Sequence, residues 1–141
     1  MSKRVLVGVD DSEQAGAALS FVADEWPDAE VTLLTVIDPS KAGYAATAGV
    51  PSGAEEWYER TKSEAESRLA EAAESFGDAA EVETETTVGK PAAGIVEYAG
   101  DHDVDHIVVG SHGRRGISRI LLGSVAEAVV RNSPVPVTVV R

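Results

Sequence analysis

The sequence predicts an α/β domain: one open, five-stranded, mostly parallel sheet with helices on both faces, spanning residues 1–141. Three observations carry this. Strand-like and helix-like segments alternate along the whole chain, the signature of β-α-β crossovers. Several strand segments, such as RVLVGV at 4–9 and HIVVG at 106–110, are nearly continuous apolar runs, as expected of strands covered on both faces. The length, 141 residues with 43% hydrophobic content, suits one domain with a real core.

The elements follow in order. Arg4–Val9 reads as a buried strand and Asp10-Asp11-Ser12 as a helix start. Ala15–Trp26 places Ala15, Ala18, Leu19, Val22 and Trp26 on one helical face, stopped by Pro27. Glu30–Ile37 is the second strand. Asp38–Ala54, rich in Gly, Ala, Ser and Pro, has no period and reads as a long mobile loop. Glu55–Phe76 is a long helix with Trp57, Thr61, Ala65, Leu69, Ala72 and Phe76 on its apolar stripe, which we assign to core packing; Gly77 is expected to cap it. Glu81–Val88 alternates Glu with Val and Thr and reads as an edge strand with one wet face. Pro91–Gly100 is a short helix with Pro in its first turn. His106–Gly110 is a buried strand, Ser124–Arg131 a helix, and Val135–Arg141 the last strand.

Composition excludes several function classes. There is no cysteine, hence no disulfide, thiolate nucleophile or cysteine zinc site. His102, His106 and His112 do not stand at metal-ligand spacing; the first two are expected to be solvated and the third a loop residue. No apolar run is long enough to cross a membrane, and the basic N-terminus reads as a strand and not a signal peptide, so a cytoplasmic location is expected. A net charge of −12 repels nucleic acid. Only four of the twelve bases are Lys. An acid-rich, Lys-poor surface suits high salt, where repulsion is screened, and so a salt-adapted, archaeal source; an acidic protein of ordinary salt is the other reading.

Ligands of open α/β sheets bind outside the carboxyl ends of the strands, where strand order reverses. Three such ends are rich in chemistry: Gly8-Val9-Asp10-Asp11-Ser12, Thr35-Val36-Ile37-Asp38, and the stretch from Val109 through Gly110, Ser111, His112, Gly113 and Gly116 to Gly123, Ser124 and Val125. In the third, glycines directly follow a strand, and Gly123-Ser124 opens a helix whose N–H groups and dipole favour phosphate. Ser124 can cap that helix or bond the phosphate. Residues 106–126 contain no Asp or Glu but include Arg114, Arg115 and Arg119, a cationic island in an acidic chain. No Lys follows the last glycine, so this is not a Walker loop, and its place after a late strand does not fit the Rossmann fingerprint. Asp10-Asp11 is also the pattern of a phospho-receiver, but that reading lacks an acceptor Asp after the third strand and a Lys after the last. One of Asp11 and Ser12 is expected to cap the first helix.

Gly110-x-x-Gly113 followed after nine residues by Gly123-Ser124 resembles the glycine signature of the ATP-binding branch of the universal stress protein family. Val-Asp-Asp-Ser after strand one, Val36-Ile37-Asp38 after strand two, Gly-Ser-His-Gly after strand four and the Pro-Val-Pro-Val-Thr-Val-Val ending extend the resemblance over the whole chain. It implies a flavodoxin-like sheet, similar to that of the adenine nucleotide alpha hydrolases, of order 3-2-1-4-5, and ATP, or else ADP or AMP, as ligand, with Mg2+ arriving on the phosphates. It further implies that Asp10 contacts adenine or ribose, with Gly8 and Val9 beside it. Val36 would meet the adenine edge through its backbone and Gly110 the ribose. Gly113, Gly123, Ser124 and Val125 would hold phosphates, and Ser111 and His112 line the loop. Gly8 departs from the residue common in relatives, which bears on adenine packing. The contact of Arg114 and Arg115 with phosphate does not follow from the resemblance. It also implies a homodimer through the last strand.

No Ser-His-Asp or Cys-His set and no group to orient an attacking water is legible, so the expected function is a nucleotide-binding regulatory or stress-response module with little or no turnover. A slow ATPase or nucleotide-dependent transferase is the rival, and a family member acting only by protein contact the third reading.

Overall fold

The computed structural model describes residues 2–42, 53–111 and 122–141. Strands β1 (Arg4–Gly8), β2 (Glu30–Ile37), β3 (Glu81–Val88), β4 (His106–Gly110) and β5 (Val137–Val140) alternate with helices α1 (Glu13–Glu25), α2 (Gly53–Ala73), α3 (Pro91–Asp101) and α4 (Ser124–Asn132). All pairings are parallel and the order is β3-β2-β1-β4-β5, as the sequence implies.

The period-two alternation of the central strands divides the core in two. Val5, Val7, Val31, Leu33 and Val108 point to one face and pack with Ala18, Leu19 and Val22 of α1 and Leu69 and Ala72 of α2. Leu6, Leu34, Ile107 and Val109 point to the other, against Ile95 and Ala99 of α3 and Ala126 and Val129 of α4. Strands covered on both sides cannot alternate apolar with polar residues, which is why β1 and β4 read as unbroken apolar runs. β3 is the exposed edge, and its Glu81, Glu83 and Glu85 face water.

Local chemistry sets most ends. The Ser12 hydroxyl accepts the Ala15 N–H at 3.2 Å as the N-cap of α1. Pro91 opens α3, where a missing N–H costs nothing. Some expectations need correction. The segment Asp38–Ala54 is not one loop: Pro39–Ala42 is a 3-10 turn and Gly53 already begins α2, while residues 43–52 lie outside the described residues. α2 ends at Ala73 and not at Phe76; the N–H groups of Glu74, Ser75 and Phe76 each bond the carbonyl three residues back, tightening the last turn. Gly77 is not among the positive-φ glycines, so it is no left-handed cap. β5 is shorter than 135–141, running Val137–Val140.

Neither His102 nor His106 is simply solvated. His102 stacks on Tyr98 with ring centroids 3.8 Å apart. His106 is half-buried 5.0 Å from the Trp26 ring, and its Nε2 lies 2.7 Å from the Thr138 hydroxyl of β5. Burial, aided by Lys3, holds the His106 pKa below its ordinary 6.5. The folded state thus binds fewer protons than the unfolded chain just below pH 6.5, so this contribution to stability is present above that pH and declines below it. Urea midpoints should fall between pH 7.5 and 5.5 in the natural chain and fall less in His106→Gln; equal falls would remove His106 as the cause.

Candidate functional site

β1 leads to β2 and β3 on one side, and the chain then returns to place β4 on the other side of β1. The loops leaving β1 and β4 therefore diverge, opening a crevice at their carboxyl ends. A cleft of about 380 Å³ lies there. Its wall includes Gly8, Val9, Asp10, Val36, Gly110 and Val125, six of the residues expected from sequence.

The β1 end is shaped by Asp10. Its Oδ1 accepts the Ser12 N–H at 2.9 Å and the Ser12 hydroxyl, an Asx-type turn that swings the chain from strand into α1. Ser12 in turn caps α1, so Ser12 and not Asp11 is the cap.

The β2 end presents backbone. The Leu34 carbonyl accepts the Val9 N–H at 2.8 Å on the β1 side, and the Ile37 carbonyl accepts the Gly89 N–H at 2.9 Å on the β3 side. Because ladder bonds alternate sides along a parallel strand, Val36 directs its N–H and carbonyl to the β1 side. β1 has ended by then, at Gly8 opposite Leu34, so the Val36 peptide edge faces the cleft. Thr35, named from sequence only as part of this strand end and given no role there, is buried, and its hydroxyl donates to the Val9 carbonyl at 2.9 Å. A polar residue inside an apolar strand was the signal that could have found it. The Val36 side chain packs so closely on α3 that a Cβ at Gly94 would lie 2.8 Å from it.

The β4 end adds packing roles to two of the expected residues. A Cβ at Gly110 would lie 2.7 Å from the Gln14 backbone of α1, so this glycine is required by helix packing whatever it also touches. Ser111 is buried, and its N–H donates to the Val140 carbonyl at 2.8 Å, which continues the β4–β5 ladder. His112 and Gly113, with Arg114, Arg115, Gly116 and Arg119, lie outside the described residues. Gly123 is the N-cap of α4 at φ 87°, ψ 152°, and as glycine it brings no side chain to cap the helix. Ser124 is its first residue and not its N-cap, contrary to one of its two expected roles; helix starts leave their first N–H groups without intrahelical partners. Gly8 packs tightly too: a Cβ there would lie 2.9 Å from Ile95 Cδ1.

Lys41, Trp57, Thr61, Glu64 and Arg68 form a further wall that sequence reasoning missed. Trp57 was assigned to the core; it and Thr61 are half-buried at the cleft instead. Asp38 begins the 3-10 turn, where hydrogen bonds from the Ser40 side chain and backbone hold its carboxyl below its ordinary range. A smaller cleft of about 230 Å³ lies at the opposite, amino ends of the strands, where Arg4 bridges Glu30 at 3.3 Å and Asp103 at 3.7 Å. Among the described residues, no cluster of three or more His, Asp or Glu could hold a metal, and no helix is long and apolar enough to cross a membrane.

The chain matches the model of the universal stress protein family over residues 1–141. It is 35% identical over 142 residues to a universal stress protein of Methanocaldococcus jannaschii, covering 99% of this chain and 82% of that protein. A second universal stress protein of the same organism is 35% identical over 156 residues, covering 100% of this chain and 96% of that one. Its solved structure superposes with a TM-score of 0.82 at 34% identity, covering 99% and 96% of the two chains. A universal stress protein solved in complex with cAMP gives a TM-score of 0.61 at 26% identity, covering 99% and 96%. Fold, extent of match and identity agree, and the chain belongs to the universal stress protein family.

Proposed function

We propose that this chain binds an adenine nucleotide, with ATP as its ligand, and acts in the cytoplasm as a regulatory or stress-response module, a single domain of 141 residues, with little or no turnover. The observation that carries the reading is the junction at the strand ends: one cleft joins the outward peptide edge of Val36 to the start of α4. A peptide edge offers a donor and an acceptor, as a purine edge requires. The α4 start, with Gly123 as its N-cap, offers N–H groups and a favourable dipole to phosphate. The cleft is of the size that holds a nucleotide-sized ligand. The related protein solved with cAMP supports an adenine ligand. Mg2+ would enter on the phosphates, completed by one or two carboxylates such as Asp10 and Asp11.

Mass spectrometry of small molecules released from denatured, freshly purified protein should find an adenine nucleotide, and calorimetry should give tighter binding of ATP than of GTP. Equal affinities would contradict base reading by Val36. Turnover of about 1 per second or more with ATP and Mg2+ would make the protein an enzyme instead.

The same reading includes a homodimer through β5. This strand is a sheet edge whose four residues are all half-buried, blunted only by Pro136 and Arg141, whereas the β3 edge carries three glutamates. Two β5 strands pairing antiparallel about a two-fold axis close the assembly. Sedimentation at high salt should give a dimer at micromolar concentration, and Val137→Lys with Val139→Lys a monomer. A natural chain that sediments as a monomer refutes the pairing.

A further inference from the structure

Trp57 stands where no core needs it. All strand pairings are parallel, so α2 must leave the carboxyl edge of the sheet after β2 and run back toward the amino edge to reach β3. Ala65, Leu69 and Ala72 of its later turns are buried. Trp57 lies about 12 Å before Ala65 along the helix axis, at the level of the cleft whose wall it joins. Among the described residues the half-buried indole packs against neither half of the core. It has no ring or cation partner there, and its N–H makes no hydrogen bond. An indole usually gains a neighbour for its ring and an acceptor for its N–H when the fold buries it; among these residues it has neither.

The surrounding geometry indicates which part of a ligand suits it. The N–H and carbonyl of a strand point within the sheet, toward the neighbouring strand position. A base bonded to the outward edge of Val36 therefore lies near the sheet plane, in the place that β1 has vacated, and turns its flat faces to the helical layers on either side. Pro91 and Ile95 of α3 and Val125 of α4 line the cleft from one layer, and Trp57 of α2 lines it from the other. The charges beside Trp57 offset one another, Lys41 and Arg68 against Asp38 and Glu64. This wall therefore suits a neutral flat group and not a phosphate.

We propose that Trp57 stacks on the nucleobase held at the Val36 edge, enclosing it between the α2 layer and the α3–α4 layer, and so sets how much of the affinity comes from the base. The inference rests on the nucleotide reading of the Val36 edge. Every base has a π face, so Trp57 supplies affinity while the Val36 peptide selects adenine.

Calorimetry with ATP and with inorganic tripolyphosphate, which has no base, tests it, with thermal melts to confirm folding of each variant. Trp57→Leu should weaken ATP about tenfold and leave tripolyphosphate within about twofold of the natural value. Trp57→Phe, which keeps a flat ring, should recover most of the loss. The chain has two Trp, and Trp26 sits at the other end of the sheet against His106. ATP should therefore quench the emission of the natural chain and not that of Trp57→Phe. Unchanged ATP affinity in a folded Trp57→Leu overturns the stacking and leaves the Val36 edge intact. Equal loss of ATP and tripolyphosphate also overturns it, making Trp57 a prop for the cleft. Failure of ATP itself to bind the natural chain overturns the nucleotide reading and this inference with it.

Discussion

Gly123→Val should abolish useful nucleotide binding, lowering affinity by tenfold or more, equivalent to about 1.4 kcal/mol. At φ 87° and ψ 152° the backbone occupies a region essentially reserved for glycine, and a branched side chain costs on the order of 1–3 kcal/mol there. The chain relieves that strain most simply by rotating the residue that aims the first N–H groups of α4. Binding is therefore lost through misdirected donors more than through bulk. Because α4 also carries Ala126 and Val129 into the core, part of the cost will appear as lowered stability, so affinity must be measured by calorimetry well below the melting temperature. Native affinity in a folded Gly123→Val would separate the α4 start from the site.

Gly110→Val should do the opposite, costing fold first. The new Cβ would meet the Gln14 backbone at 2.7 Å, and backbone cannot swing aside as a flexible side-chain tip can. α1 must then lift from the end of β4, with an overpacking cost of about 1–3 kcal/mol or more. Urea unfolding without ligand should show the full loss. Undiminished ligand-free stability would mean that Gly110 serves the ligand alone. The two glycines look alike in sequence and differ in kind: one sets a conformation and the other clears a path for a helix.

That difference marks where sequence reading stops. The sheet and its core were legible because burial on both faces leaves unbroken apolar runs, as at Val5, Leu6 and Val7. The edge character of β3 was legible in its glutamates. The cleft at the β1, β2 and β4 ends was legible because topology fixes where strands diverge. The roles of Gly110 and Ser111 were not, since a glycine that clears a helix and one that meets a sugar are the same letter, and Ser111 is turned inward by a β5 pairing distant in sequence. Trp57 was assigned to the core because a helical stripe shows which residues share a face, not where that face runs out of sheet to cover. His106 gained its neighbours Trp26 and Thr138 only through the fold.

The Thr35 hydroxyl bound to the Val9 carbonyl has a consequence for ancestry and design. Two parallel strands in register tend to zip until something stops them, and the Val9 carbonyl is the acceptor through which another rung to β2 would form. Thr35 occupies it from within the sheet, so β1 and β2 part at a fixed residue. A chain with Val at this position would keep the apolar pattern and the glycines, and would be free to seal the peptide edge of Val36 inside its own ladder. Sorting relatives into nucleotide receivers and silent scaffolds should therefore weigh this one hydroxyl alongside the glycine loop.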